Sequence, residues 1–161
     1  MSRVDFAFGA PDRLRMACEV VRKHYLAGRR LVVYTQDTKR LAQFDRLLWS
    51  FDPEAFVPHV MADDPLAGST PVVLTAAGPL PVPAPVPAKD AGTALQPWLI
   101  NLDLDCPPGA GDFERILEIV SDHDEDKAAA RSRWRQYQAE GHTLHAHGVS
   151  APARVNADRP S

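Results

Sequence analysis

Residues 4–48, VDFAFGAPDRLRMACEVVRKHYLAGRRLVVYTQDTKRLAQFDRLL, alternate between two hydrophobic patterns. The run at 4–8 is short and β-like and ends at Gly9. The run at 31–35 is almost continuously apolar and β-branched, as in a buried strand. After each run, apolar residues recur every three or four positions, which predicts a helix. Strand, helix, strand and helix at this spacing indicate parallel βαβ units.

The ends of the two predicted helices carry residues that commonly cap helices. Pro11 and Asp12 open the first helix, and Gly28 is well placed to end it. Asp37 or Thr38 can cap the second helix. The predicted inner faces of the two helices comprise Leu14, Cys18, Val21, Tyr25, Leu41, Phe44 and Leu48.

Further strands are predicted at residues 56–60, 71–75, 98–104 and 143–147. Pro58 has no backbone N–H to donate, so its strand belongs at a sheet edge or outside the sheet. Residues 113–120 match helical spacing and also read as a strand, and the pattern leaves both open.

A last helix is predicted from about residue 124 to residue 140, where Gly141 stops it. The aspartates within 122–126 put negative charge where a helix N-terminus favours it. The side of this helix predicted to pack closely on the sheet carries the small residues Ala128, Ser132 and Ala139.

Together these elements predict an α/β class fold. We expect three layers in a Rossmann-like arrangement, with a mostly parallel central sheet flanked by helices. The predicted domain spans residues 1–148, and residues 76–97 within it form a proline-rich surface insertion. Alternating prolines favour an extended, polyproline II-like course there. Residues 149–161 lack periodicity, and we expect a disordered C-terminal tail.

Composition restricts the class of function. The chain has 161 residues, 45% of them hydrophobic and 24% charged, which fits one globular domain. A formal net charge of -3 argues against non-specific electrostatic binding of nucleic acid by the chain as a whole. Cys18 and Cys106 lack CxxC spacing, and no apolar stretch has the length of a signal peptide or a membrane span. We therefore expect a cytoplasmic protein with free thiols.

The last predicted helix carries a candidate binding site. Lys127, Arg131, Trp134 and Arg135 stand at i, i+4, i+7 and i+8, so they share one side of a helix. Cations favour a carboxylate, and an exposed indole beside them favours an apolar end group. The pattern therefore suggests a docking site for an acidic peptide with a hydrophobic tip. The alternative is a solvated helix face with Trp134 turned into the core.

A second candidate surface follows the second predicted helix. Trp49, Phe51 and Phe56 exceed what one short helix end needs to bury, and prolines such as Pro58 keep the backbone irregular. Clustered aromatics of this kind are typical of partner surfaces. The alternative is a satellite core under a loop, and His59 is expected to be a structural histidine.

Catalytic and cofactor motifs are not found, and we expect no enzyme, cofactor or metal. The turn at Gly9 has neither GxGxxG nor a Walker loop. The aspartates from Asp122 onward miss the glycine and glutamate positions of a calcium loop. His142, His145 and His147 have no clear further ligand. Alternative functions are a small nucleotide-binding protein or enzyme, with its ligand near Gly9 or residues 35–37, and direct single-strand binding through the basic helix.

Two blocks of sequence are similar to one known family, the chi subunit of bacterial DNA polymerase III holoenzyme. The first is LW at 48–49 with FVPH at 56–59 and GSTPVVL at 68–74, and the second is AARSRWRQY at 129–137, ending at Gly141. The likeness covers about residues 4–147 in the same element order. The proline-rich insertion and the C-terminal extension lack counterparts in compact members of the family.

The resemblance implies an accessory subunit of the clamp-loader assembly without an active site of its own. Members bind the acidic C-terminal tail of single-stranded DNA-binding protein, which ends in aspartates and a terminal Pro-Phe. By family position, Arg131, Trp134 and Arg135 would line the tail site, with Lys127 beside them. The surface formed by Trp49, Phe56 and Pro58 would meet the psi subunit, which joins chi to the clamp loader.

Overall fold

A computed structural model describes residues 2–51, 56–77 and 97–148 of the chain. Most of the predicted proline-rich insertion, residues 78–96, and the predicted tail, residues 149–161, lie outside these ranges. The strands and helices are β1 (Arg3–Ala10), α1 (Arg13–Leu26), β2 (Leu31–Tyr34), α2 (Thr38–Ser50), β3 (His59–Met61), β4 (Val72–Thr75), β5 (Trp98–Asn101), β6 (Arg115–Ser121), α3 (Asp124–Ala139) and β7 (Thr143–Gly148).

The seven strands form one parallel sheet in the order β3-β4-β2-β5-β6-β1-β7. Helices α1 and α2 pack on one face around a core that includes Val21, Phe44 and Leu48. Helix α3 covers the other face, where Tyr137 packs in a second core with Phe6. The predicted three-layer, Rossmann-like α/β fold is therefore confirmed.

The capping predictions for the first two helices are also confirmed. The Asp12 side chain accepts a hydrogen bond from the backbone N–H of Arg15 at 3.2 Å, and Gly28 follows the end of α1 with φ +88°. Asp37 caps α2, because its carboxylate accepts from the backbone N–H groups of Lys39 and Arg40 at 3.1 Å each.

The ambiguous segment at residues 113–120 is decided by strand pairing, and one predicted strand is shortened. Residues 115–121 form β6, which lies between β1 and β5 and is hydrogen-bonded to both. The predicted strand at 98–104 is shorter, because the side chain of Asn101 accepts from the backbone N–H of Asp103 at 3.0 Å and turns the chain out of the sheet. Strand β3 follows Pro58 and lies at the sheet edge, as expected.

The predicted packing face of α3 is wrong. Ala128, Ser132 and Ala139 are exposed, whereas α3 buries Ala130, Arg133 and Tyr137 against the sheet. Small residues therefore do not decide how this helix faces the sheet. It is instead oriented by a polar contact with β6, described below.

Candidate functional site

All four residues predicted to form a peptide site line one cavity. This cavity, which we call the α3 groove, has a volume of about 450 Å³ and lies between α3 and strands β1, β6 and β7. Its lining includes Lys127, Arg131, Trp134 and Arg135 from α3. The sheet contributes the apolar residues Phe6, Phe8, Val120 and Ala146, together with Gly9.

Trp134 is packed on one side and exposed on the other. Its ring packs against Phe6, with ring centroids 5.1 Å apart, and it belongs to the edge of the α3 core. It is only half-buried, however, and it also lines the α3 groove. Beside it, Phe8 leaves 44% of its surface exposed. The groove thus has an aromatic floor that packs on the core through Phe6 and is accessible to a ligand from the solvent side.

The cations of the α3 groove stand at its rim. Arg131 and Arg135 are exposed, and the part of the chain that the structure describes shows no ion pair for either of them. Lys127 has one exposed partner, Asp124, at 4.0 Å, a contact that contributes little in water. Asp122 also lines the groove, so its charge is not uniformly positive. An anionic ligand can therefore reach two guanidinium groups without displacing a buried partner.

A buried polar network holds α3 in this orientation. Glu118 of β6 is fully buried and accepts hydrogen bonds from Arg133 Nε at 3.0 Å, Tyr137 Oη at 2.6 Å and Asn101 Nδ2 at 2.8 Å. Arg133 also donates to the backbone carbonyl of Leu104 at 2.9 Å. Burial and the adjacent Glu118 carboxylate raise the pKa of Tyr137 well above its usual range. With Arg133 and Tyr137 turned inward, the residues between them face the groove or solvent.

Sequence reasoning missed both this network and the floor of the α3 groove. A signal for the network exists, since Glu118 interrupts the apolar run ILEIV, and a buried charge in such a run needs a partner. The floor could have been inferred from period two along β1, because Phe6 and Phe8 must point to the same face. Which helix covers that face is not a local property of the chain.

The second predicted surface is present at the opposite edge of the sheet. Trp49 and Phe56 are 51% and 66% exposed, and their ring centroids are 5.6 Å apart. Pro58 is partly buried beside them. Phe51, by contrast, is buried in the main α1/α2 core and not in a satellite core. We call Trp49, Phe56 and Pro58 the Trp49 surface.

His59 is a structural histidine, as predicted. Its Nδ1 hydrogen bonds with the carbonyl of Val57 at 2.7 Å and its Nε2 with the Asp45 carboxylate at 2.9 Å. Its ring centroid lies 4.4 Å from that of Trp49. His59 therefore supports the exposed indole from below.

A buried arginine of the chain occupies part of the region where a Rossmann-like fold would bind a nucleotide. Such ligands bind at the carboxyl ends of the strands. There Arg13, only 8% exposed, donates to the backbone carbonyls of Ile119, Leu102, Asn101 and Asp103 at 2.8, 3.0, 3.3 and 2.9 Å. Burial, and then Arg133, lower the pKa of this guanidinium to about 10. Thr35, in the segment proposed for the nucleotide alternative, bonds to Asp103 at 3.1 Å.

The histidines near the C-terminus serve packing and hydrogen bonding. His142 accepts from the backbone N–H of Ser2, and His147 hydrogen bonds with Asp5 at 2.8 Å. Within residues 2–51, 56–77 and 97–148, no three His, Cys, Asp or Glu side chains are grouped as metal ligands are. No helix of these ranges combines the length and the apolar character needed to cross a membrane.

Fold and site together define a Rossmann-like protein in which Arg13 occupies the carboxyl ends of β5 and β6 and exposed aromatic residues lie toward the two edges of the sheet. The sequence model of the family described as DNA polymerase III chi subunit, HolC, matches residues 1–145. The chain belongs to this family of DNA polymerase III chi subunits, and with it to DNA replication.

Curated relatives agree with this assignment along most of the chain. A DNA polymerase III subunit chi of Pseudomonas aeruginosa is 31% identical over 151 residues, which cover 91% of this chain and 96% of the relative. The subunit chi of Escherichia coli is 28% identical over 130 residues, 81% of each chain. That of Haemophilus influenzae is 24% identical over 134 residues, 83% of this chain and 85% of the relative.

Proposed function

We propose that this chain is a non-catalytic subunit that ties the clamp loader of a bacterial DNA polymerase III to single-stranded DNA-binding protein. Its α3 groove would bind the acidic C-terminal tail of that protein, in the bacterial cytoplasm. The observation that supports this most directly is the pairing of an aromatic floor, Phe8 and Trp134, with two exposed guanidinium groups on one rim.

The proposed mode of binding follows from the chemistry of the tail. Its aspartates and terminal carboxylate would pair with Arg131, Arg135 and Lys127, while its final Phe would pack beside Trp134. Hydrogen bonds to charged groups contribute about 1.5 to 3 kcal/mol each when well formed. Exposure of these cations favours the lower end of that range, and salt should weaken the complex because the charges are solvated.

The Trp49 surface would hold the psi subunit. Exposed aromatics packed on a rigid support are frequent anchors of protein interfaces. Trp49 has such a support in His59, which is itself tied to Asp45. The two surfaces lie toward opposite edges of the sheet, β3 and β7, so both partners can bind one subunit at once.

Titration with a fluorescent peptide copying the tail tests the first contact. Arg131→Ala should raise the dissociation constant about tenfold, which corresponds to about 1.4 kcal/mol. Removing the final Phe from the peptide should weaken binding at least as much. The matched control is Arg46→Ala, because Arg46 is an exposed arginine on α2, outside the groove. Equal affinities for Arg131→Ala and Arg46→Ala would contradict the proposed site.

A further inference from the structure

A second and larger cavity lies on the opposite face of the sheet from the α3 groove. Helix α1 leads from β1 to β2, and these strands are separated in the sheet by β6 and β5. The helix therefore crosses over β6 and, among the residues that the structure describes, leaves the neighbouring face of β1 and β7 uncovered. The resulting cavity, which we call the α1 groove, has a volume of about 600 Å³.

The floor of the α1 groove is aliphatic. It includes the partly buried Ala7 of β1 and Val20 of α1, together with Leu117 and Ile119 of β6, which already belong to the buried core. Leu26, at the end of α1, also lines it and leaves 68% of its surface exposed. Apolar surface of this kind on a sheet face gains free energy when an apolar side chain covers it.

The rim of the α1 groove is cationic. Arg22, Lys23 and Arg115 line it, against two carboxylates, Asp5 and Glu19. These two carboxylates already have cationic partners. Asp5 accepts from Arg115 at 2.6 Å and from Arg3 at 3.0 Å, and Glu19 lies 4.0 Å from Arg15.

A histidine, His24, lines the same groove. The pKa of His24 is lowered to about 4, first by burial and then by Arg115, Lys23 and Arg29. Only Asp5 acts in the opposite direction. The ring of His24 is therefore neutral at pH 7 and adds no charge to the groove.

We propose that the α1 groove is a docking site for an acidic amphipathic segment of a partner protein. Apolar side chains of that segment would cover Val20 and Leu26, and its carboxylates would meet Lys23 at the rim. Charge complementarity selects the partner, because an apolar floor alone would accept many segments. This proposal is independent of tail binding in the α3 groove, which lies on the other face of the sheet.

Single-stranded nucleic acid fits the α1 groove less well. Proteins bind unpaired bases by stacking them on exposed aromatic rings. Trp98, whose ring lies against that of His24, already carries the guanidinium groups of Arg29 and Arg115 at 3.9 and 4.3 Å from its centroid. The remaining floor is aliphatic. The chain's own residues 149–161 are also poor occupants, because they carry Arg154 and Arg159 against one acidic residue, Asp158.

Amide NMR shifts of the full chain test the proposal. The probe is a synthetic helical peptide with Leu on one face and Glu on the other, beside two matched peptides with Lys for Glu or Ser for Leu. We expect saturable shifts of α1 and β1 amides with the Glu/Leu peptide alone. Lys23→Glu should weaken this binding about tenfold. Lys39→Glu, which reverses an exposed charge on α2, should leave it unchanged.

Other outcomes would overturn the proposal in distinguishable ways. No saturable shifts, or equal affinities for Lys23→Glu and Lys39→Glu, would remove the α1 groove as an acidic docking site. Stronger shifts of the same amides by oligo(dT) would assign it to nucleic acid. Shifts caused only by removing residues 149–161 would assign it to the chain itself, and self-association by light scattering would assign it to a second copy. Chemical-shift changes confined to α3 would show that the peptide binds the α3 groove instead.

Discussion

Replacing Glu118 by Ala should destabilise the protein severely. The carboxylate is fully buried and accepts three hydrogen bonds, from Arg133, Tyr137 and Asn101. The guanidinium of Arg133 is itself only 3% exposed. Removing Glu118 therefore leaves a buried cation without its anion, in addition to two unsatisfied donors.

The expected loss follows from breaking a buried ion pair on one side. Such changes cost about 3–5 kcal/mol, more than the roughly 1 kcal/mol of an ordinary hydrogen bond. Domains are stable by roughly 5–15 kcal/mol, so the loss is a large share of the total. At about 2–4 °C per kcal/mol for a chain of this size, the melting temperature should fall by roughly 6–20 °C.

Urea unfolding followed by tryptophan fluorescence measures this loss. Glu114→Ala is the matched control, because Glu114 is an exposed glutamate just before the same strand. The double variant Glu118→Leu/Arg133→Met should recover part of the stability, since it removes both charges together. A loss below about 1 kcal/mol in Glu118→Ala, or a double variant no more stable than the single one, would refute the reasoning.

Three further predictions concern other residues of the chain. The pKa of His24 is lowered from its ordinary 6.5 to about 4, so the unfolded chain binds its proton first and stability should fall as pH drops between these values. Urea unfolding of His24→Gln should therefore show a smaller loss over that window, and an equal loss would contradict the assignment. Trp49→Ala should abolish the proposed binding of psi and should change the free energy of unfolding by no more than about 1 kcal/mol. Leu104→Ala is the control and should leave the binding of psi intact. Equal binding of psi by both variants would count against the Trp49 surface. Burial raises the pKa of the Cys18 and Cys106 thiols to about 12, so a thiol reagent at neutral pH should react far faster in urea than with the folded protein, and similar rates would be inconsistent with that burial.

Local sequence was sufficient wherever a structural choice depends on neighbouring residues. Caps such as Asp12 and Asp37 bond to backbone N–H groups two or three positions away, so they can be recognised in one dimension. The helical spacing of Lys127, Arg131, Trp134 and Arg135 likewise predicts that these side chains share one side of α3, and all four line the same groove.

Long-range contacts decided the rest. Residues 113–120 carry a pattern that fits either state, and only pairing with β1 and β5 makes most of them a strand. The face of α3 was mispredicted because Arg133 is drawn inward by Glu118, which is 15 residues away in the chain. Arg13 is held at the carboxyl ends of the strands by carbonyls 90 or more residues away in the chain, those of Asp103 and Ile119.

The sequence by itself thus determined the helices, most strands and the parallel α/β class, because hydrogen bonds and side-chain periodicity act within a few residues. It also determined which residues carry cations and aromatics. The order of the strands, and with it the two grooves on opposite faces of β1, was decided only by the tertiary structure. A groove exists where a helix leaves part of a sheet uncovered. Its position depends on how many strands each helical connection crosses, and this number follows from the strand order.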